Sequence, residues 1–113
     1  MSTTAFAWFH NASGAPAESI AFYEGLLGWK SSAGPAGLRL FEGEAGPIAG
    51  LAPREGEAGG WIPYAQVPDV DDATRRAVKL GAVVVKEKAR GPAGEFTIVR
   101  DPGGAVLALW QKG

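Results

Sequence analysis

The spacing of hydrophobic and polar positions predicts one order of elements that occurs twice along the chain: a strand, a helix and three more strands. In the first pass, residues 4–12 form an aromatic-rich strand, and a helix begins near Pro16 and ends at Gly28. Gly and Pro residues then separate three short extended segments, at residues 29–32, 37–42 and 47–52. This pattern is typical of an antiparallel meander that follows a helix.

The second pass repeats the same order after a polar, glycine-rich link at residues 54–59. A strand at residues 61–67 precedes a helix that opens at Asp69, whose carboxylate can cap the first free N–H groups, and that ends at Gly81. Three strands follow, at residues 82–88, 95–99 and 105–111. The predicted apolar stripes of the two helices are Ile20, Tyr23 and Leu27, and Val70, Ala73, Ala77 and Leu80.

The repeated order predicts an internal duplication within one domain of 113 residues. The two glycines that end the helices, Gly28 and Gly81, lie 53 residues apart, which is nearly half of the chain. We therefore expect two modules, at residues 1–53 and 60–113, joined by the link.

Composition narrows the classes of function. The chain has 11 basic and 12 acidic residues with no long run of either sign, so neither nucleic acid nor an anionic membrane is an expected partner. It has no cysteine, which excludes disulfides, a thiolate nucleophile and zinc sites with sulfur ligands. No signal peptide and no apolar stretch near the roughly 20 residues of a membrane span is visible. We expect a cytoplasmic protein that binds a small molecule.

Candidate catalytic groups are few. No Ser-His-Asp order, nucleotide fingerprint or phosphate loop is present. His10 is the one histidine of the chain, and a histidine without a visible acid to orient it is more often structural than catalytic. No catalytic residue is assigned, and His10 and Tyr64 remain candidates for acid–base chemistry.

Five motifs in order carry a resemblance to a known family. They are Ile20-Ala21-Phe22-Tyr23 with Leu27-Gly28-Trp29, Gly60-Trp61, Val67-Pro68-Asp69-Val70-Asp71-Asp72 with Leu80-Gly81, Asp101-Pro102-Gly103-Gly104, and Leu109-Trp110-Gln111. Together they resemble the vicinal oxygen chelate superfamily of glyoxalases, bleomycin-resistance proteins and extradiol dioxygenases, in a branch around mycobacterial secreted-antigen homologues. The resemblance implies an α+β fold in which two βαβββ modules in tandem form a shared half-open barrel.

The same resemblance implies metal ligands on the first and last strands of each module. The family's spacing places these positions at Trp8, Gly50, Ile62 and Ala108. None of these side chains offers the oxygen, imidazole or thiolate that a divalent metal requires. We therefore predict no metal and no cofactor, which argues against metal-dependent isomerisation or ring cleavage.

Alternation along the strands then predicts which residues line the cavity that the resemblance implies. The residues on the cavity side, which we expect to bind the ligand, are Phe6, Trp8, His10, Ile62, Tyr64, Gln66, Val106 and Trp110, with Ala108 among them. Those expected under the helices are Phe9, Pro63, Ala65, Val67, Leu107 and Leu109. Trp8 and Trp110 have an equally simple alternative, in which they fill the barrel as core.

Three hypotheses of function follow. The first is a metal-free protein of the glyoxalase/bleomycin-resistance type that holds a flat or aromatic small molecule in an aromatic-lined cavity. The second is a glyoxalase- or dioxygenase-like enzyme, a lyase or isomerase with an atypical site that uses His10 or Tyr64. The third is an interaction protein with a filled core. In each case a homodimer is expected, because the family often pairs modules between chains and open sheet edges invite pairing.

Overall fold

The computed structural model describes residues 3–113, so residues 1 and 2 of the predicted first module lie outside the described part. Its strands and helices follow the predicted order, which confirms an α+β fold with two successive βαβββ modules. They are β1 (Phe6–Ser13), α1 (Pro16–Leu27), β2 (Lys30–Ala33), β3 (Arg39–Gly43), β4 (Gly46–Pro53), β5 (Gly60–Gln66), α2 (Val70–Lys79), β6 (Val83–Gly91), β7 (Gly94–Arg100) and β8 (Val106–Lys112). Over residues 3–113, neither helix is long and apolar enough to cross a membrane.

The chain divides into two compact units, and β1 and β5 each contribute to both. We call Trp8–Ile62 the α1 unit, and we call Pro63–Gly113 with the described residues before Trp8 the α2 unit. Each unit carries one helix on one face of four hydrogen-bonded strands, in the order β2-β3-β4-β1 and β5-β8-β7-β6. In both, the two strands that begin and end the module pair in parallel, and the remaining neighbours pair antiparallel.

The α1 unit is built around an aromatic core. Phe41 of β3 is fully buried and lies beside Ala49 and Leu51 of β4, and Ile20 and Tyr23 of α1 pack against this cluster. Gly28 ends α1 in the left-handed conformation, with φ of 70°, which a residue without Cβ adopts at little cost. The prediction that Leu27 belongs to the buried stripe is wrong, because Leu27 is 49% exposed. As the last residue of α1, it lies past the turn that contacts the sheet.

The α2 unit places a short helix on an aliphatic cluster. Asp69 caps α2 as predicted, since its Oδ1 accepts the Asp72 N–H at 3.0 Å. Val70 and Ala73 of α2 face the sheet, where they meet a cluster completed by Val67, Val99 and Leu109. Leu80 is 80% exposed, which contradicts its predicted place on the stripe. The helix ends at Lys79, so the backbone no longer turns Leu80 toward the sheet.

Most strand ends differ from the predicted bounds by one or two residues, and two of the differences have a local cause. The connection before β3 contains a 3-10 turn, Pro35–Gly37, in which Ala36 has a left-handed φ of 54°, so β3 begins at Arg39 rather than at residue 37. Strand β6 runs to Gly91, three residues beyond the predicted end, because two register shifts against β7 let it continue while it bends. It is an edge strand of its unit, and charged side chains on such a strand discourage pairing with another chain.

Candidate functional site

In the α2 unit, one face of the sheet lies opposite the helix. Thr97 of β7 points toward α2, because its Oγ1 lies 2.8 Å from the Thr74 Oγ1, and Leu109 of β8 belongs to the cluster under α2. Alternation turns the neighbouring residues of both strands to the other side, and directly paired residues share a face. We call this side the aromatic face, and its members on β5, β7 and β8 are Tyr64, Gln66, Phe96, Ile98, Arg100, Val106, Ala108 and Trp110.

Three rings dominate the aromatic face. The Tyr64 and Phe96 rings lie 5.6 Å apart between centroids at an angle of 42°, and Phe96 pairs directly with Trp110 across β7 and β8. A Cβ at Gly94 would clash first with the backbone of Gln111 and Gly113, and it would also lie 3.0 Å from the Trp110 indole Nε1. All three rings are half-buried, so their remaining surface is available to a ligand.

The Tyr64 hydroxyl keeps its proton at neutral pH. Burial raises the pKa of Tyr64 to about 12, because the protein environment solvates a phenolate less well than water does. Tyr64 therefore acts there as a neutral hydrogen-bonding group and a weak acid, and it is a poor general base. Beside it, Ala108 is fully buried.

In the α1 unit, Trp8 and His10 lie on the face opposite α1. Asn11 of β1 faces the helix, because its Nδ2 donates to the Tyr23 hydroxyl at 3.5 Å, so its neighbour His10 points to the other side. His10 pairs with Gly50 of β4. A Cβ at Gly50 would lie 3.4 Å from the Trp8 indole, so the missing side chain lets Trp8 lie close to β4.

The imidazole of His10 is partly withdrawn from water. Burial lowers the pKa of His10 below its usual 6.5, and the nearby Glu55 carboxylate opposes this effect only in part. The ring is therefore neutral at pH 7, with one nitrogen that can accept a proton.

The structure groups the predicted ligand-binding residues in two sets. Tyr64, Gln66, Val106 and Trp110 share the aromatic face. Trp8 and His10 share a face of the α1 unit. Phe6 at the start of β1 is 56% exposed, whereas Ile62 is 1% exposed and belongs to the core. That these residues bind a ligand stays a prediction.

Phe96 also lies on the aromatic face, although it was not among the residues predicted to line the cavity. That prediction rested on alternation along the strands that carry the family's ligand positions, and β7 is not one of them. Applying the same alternation to residues 95–99 and pairing them with β8 would have found Phe96.

The side chains at the four ligand positions do not fit a divalent metal. Trp8, Gly50, Ile62 and Ala108 contribute no side-chain oxygen or imidazole, and an indole N–H donates but cannot ligate. In the described part of the chain, no three or more His, Asp or Glu side chains come together in a group that could hold a metal.

A separate apolar groove lies on the helix side of the α1 unit. It has a volume of about 420 Å³ and is lined by Phe9, Trp29, Ile48, Ala49 and Trp61. The Trp61 Nε1 donates to the Tyr23 hydroxyl at 2.9 Å, which fixes the indole against α1. Phe9, Ile48 and Trp61 are each at least 37% exposed, so the groove opens to solvent.

Comparison with known proteins agrees with the resemblance seen in the sequence. Residues 9–110 match a family described as Glyoxalase-like domain. The anthracycline biosynthesis protein DnrV of Streptomyces peucetius is 28% identical over 95% of this chain and 46% of its own length. CFP32 of Mycobacterium bovis, named as a glyoxylase, is 32% identical over 80% of this chain and 39% of its own length. The chain thus spans less than half the length of these curated relatives.

Solved structures show the same fold at low sequence identity. A glyoxalase/bleomycin resistance protein/dioxygenase superfamily member from Vibrio splendidus superposes with a TM-score of 0.66 at 14% identity, covering 98% of this chain and 100% of its own. Methylmalonyl-CoA epimerase of Streptomyces coelicolor superposes with a TM-score of 0.61 at 17% identity, covering 99% of both chains.

Proposed function

Because the chain belongs to the glyoxalase-like family, we propose that it is a metal-free protein that binds a flat, aromatic small molecule. The observation that carries this proposal is the aromatic face, where Tyr64, Phe96 and Trp110 lie together on one side of a sheet. Three half-buried rings offer apolar surface and ring edges, which favour stacking with another planar ring.

The polar groups of the aromatic face suit orientation rather than chemistry. The protonated Tyr64 hydroxyl can donate or accept a hydrogen bond, and the Gln66 amide can do both. Small-molecule sites commonly combine apolar walls with a few polar groups of this kind. The side chains at the family's ligand positions also favour binding without a metal.

The name of one relative supports an aromatic ligand. DnrV is named for anthracycline biosynthesis, and anthracyclines contain flat, fused rings. Since the chain spans less than half of DnrV, we carry over only the class of ligand to this chain, as part of the proposal.

The test is a titration of the purified protein with a neutral flat probe, naphthalene carboxamide, followed by tryptophan fluorescence and calorimetry. We expect binding tighter than millimolar, weakened roughly tenfold by Phe96→Ala because a buried ring contact is lost. Phe22→Ala is the matched control, since Phe22 lies on α1 and is 57% exposed. Affinity no better than millimolar, or equal losses in the two variants, would contradict the proposal.

Metal analysis of the same preparation tests the proposal that the protein binds its ligand without a metal. We expect nickel, zinc, iron and manganese each well below one atom per chain. Stoichiometric metal that survives dialysis would contradict a metal-free binder.

One observation supports the alternative of a metal-free lyase or isomerase. Burial keeps His10 neutral at pH 7, which is the form that a general base requires. If a reaction is found, His10→Ala should lower kcat by at least about a hundredfold. Unchanged turnover in this variant would remove His10 as the base.

A further inference from the structure

Helix α1 is apolar on the side that faces solvent as well as on the side that faces its sheet. Its twelve residues include two charged side chains, Glu18 and Glu24, whereas five of the ten residues of α2 are charged. Phe22 and Leu26 of α1 are 57% and 64% exposed. A helix on a soluble surface usually has a polar outer face, so α1 has the composition of a helix that is covered on both sides.

The apolar outer face of α1 continues into the groove of the α1 unit. Leu26 follows Phe22 by one helical turn, so the two side chains are neighbours on the helix. The Phe22 and Tyr23 rings lie 5.1 Å apart between centroids, and the Tyr23 ring lies 5.4 Å from the Trp61 ring that lines the groove. With two further exposed side chains of the groove, they form what we call the α1 patch: Phe9, Phe22, Leu26, Ile48 and Trp61.

A shift in strand register turns Ile48 toward the groove. Phe41 of β3 pairs with Ala49, and the next residue, Glu42, pairs with Pro47, so Ile48 is left over between them. Ile48 and its neighbour Ala49 therefore both line the groove, which regular alternation would not allow. Such irregularities commonly re-aim a side chain toward a functional surface.

The size and composition of the α1 patch fit an interface between two copies of this chain. Large side chains have roughly 150–250 Å² of surface each, so the exposed fractions of its five members amount to about 500 Å². A stable homodimer buries about 800 Å² per partner, of which about two-thirds is apolar, so its apolar part is of the same size. No member of the patch is charged, so a second patch of the same kind is a suitable partner.

The outer strands of the two units are less suited to pairing with another chain. Strand β2 has only four residues. Strand β6 carries four charged side chains, Lys86, Glu87, Lys88 and Arg90. Short edge strands and charged edge strands both discourage pairing between sheets.

From these observations we propose that two copies of this chain associate through the α1 patch. The patch offers both halves of a self-complementary contact, because Phe22 and Leu26 are its most exposed members and the groove of about 420 Å³ belongs to the same surface. In a two-fold dimer, Phe22 and Leu26 of each copy would contact the groove of the other. This inference goes beyond ligand binding and does not depend on it.

The test measures the dissociation constant of the dimer by sedimentation equilibrium. Leu26→Lys should raise it at least about tenfold, because a charge would be buried in an apolar contact. A lysine near the C-terminal end of a helix suits the helix dipole, so this variant should fold. Leu80→Lys is the matched control, since Leu80 is 80% exposed and directly follows α2, and it should leave the constant within about twofold.

Hydroxyl-radical labelling of the parent protein, followed by mass spectrometry, gives a second test that requires no variant. Phe22 and Trp61 should be labelled several-fold less in the dimer than after dilution to single chains, whereas labelling of Leu80 should not change. A single-chain mass up to about millimolar concentration would overturn the inference and leave the patch to another partner. A dimer with unchanged labelling of the patch, or with equal effects of the two lysine variants, would overturn it as well.

Discussion

At the scale of single residues, burial keeps the two candidate acid–base groups uncharged at neutral pH. His10 has a lowered pKa and Tyr64 a raised one, and in both cases the protein environment disfavours the charged form. Neither group therefore needs a partner ion at pH 7. The two groups make folding sensitive to pH in opposite directions.

For Tyr64 we expect ionisation near pH 12 in the folded chain. The ordinary pKa is 10.0, so the unfolded chain releases this proton first, and the free energy of unfolding should fall as pH rises above about 10. The ultraviolet absorbance of phenolate, taken as the difference between the parent protein and Tyr64→Phe, gives the midpoint. A midpoint near the ordinary value would show that the hydroxyl is well solvated.

For His10 we expect the free energy of unfolding to fall as pH drops below about 6.5. The folded pKa lies below this ordinary value, so the unfolded chain binds the proton first as pH falls. His10→Gln should remove this part of the pH dependence, because glutamine does not titrate. Urea unfolding of both proteins on either side of the ordinary pKa measures it, and parallel profiles would refute the assignment.

At the scale of the elements, α2 depends on the cap that Asp69 provides. A helix of ten residues would be only marginally stable on its own. The hydrogen bond that Asp69 accepts from the Asp72 N–H therefore helps to stabilise the first turn of α2. Asp69→Ala should lower the free energy of unfolding by about 1 kcal/mol. Asp69→Asn is the control, because asparagine caps nearly as well.

Chemical denaturation of the two Asp69 variants separates capping from charge. If Asp69 acts as a cap, the free energy of unfolding should fall clearly in the alanine variant and change by only a few tenths of a kcal/mol in the asparagine variant. Equal losses would instead assign the effect to the negative charge at the helix N-terminus.

At the scale of the whole molecule, the two units have the same order of elements but differently built cores. The α1 unit packs Phe41 with Tyr23 and Trp29, whereas the α2 unit packs the aliphatic side chains of Val70, Val99 and Leu109. The large rings of the α2 unit are found instead on the face away from its helix. That difference places the candidate binding surface in the second module.

The expected homodimer stays a prediction for the whole molecule. Sedimentation equilibrium over a range of protein concentrations should give twice the mass of one chain. A single-chain mass at all concentrations would contradict it.

Motif order was enough to predict the fold, because turns and caps depend on local residues such as Gly28, Asp69 and Asp101. The ends of α1 and α2 were less predictable: Leu27 and Leu80 fit the helical spacing but lie where the helices stop contacting their sheets. For the candidate site, the alternation of side chains along each strand correctly placed Tyr64 and Trp110 on one face. It gave Phe96 no place beside Trp110, because that neighbourhood also depends on the pairing of β7 with β8, which the spacing within either strand does not specify.

The sequence by itself determined the duplicated βαβββ order, the membership of a family and the absence of metal-binding side chains at four positions. These follow from local conformational preference and from the chemistry of single side chains. Only the tertiary structure decided that Tyr64, Phe96 and Trp110 meet on one face. The physical reason is strand register, which joins residues far apart in the chain into one row and which local spacing does not specify.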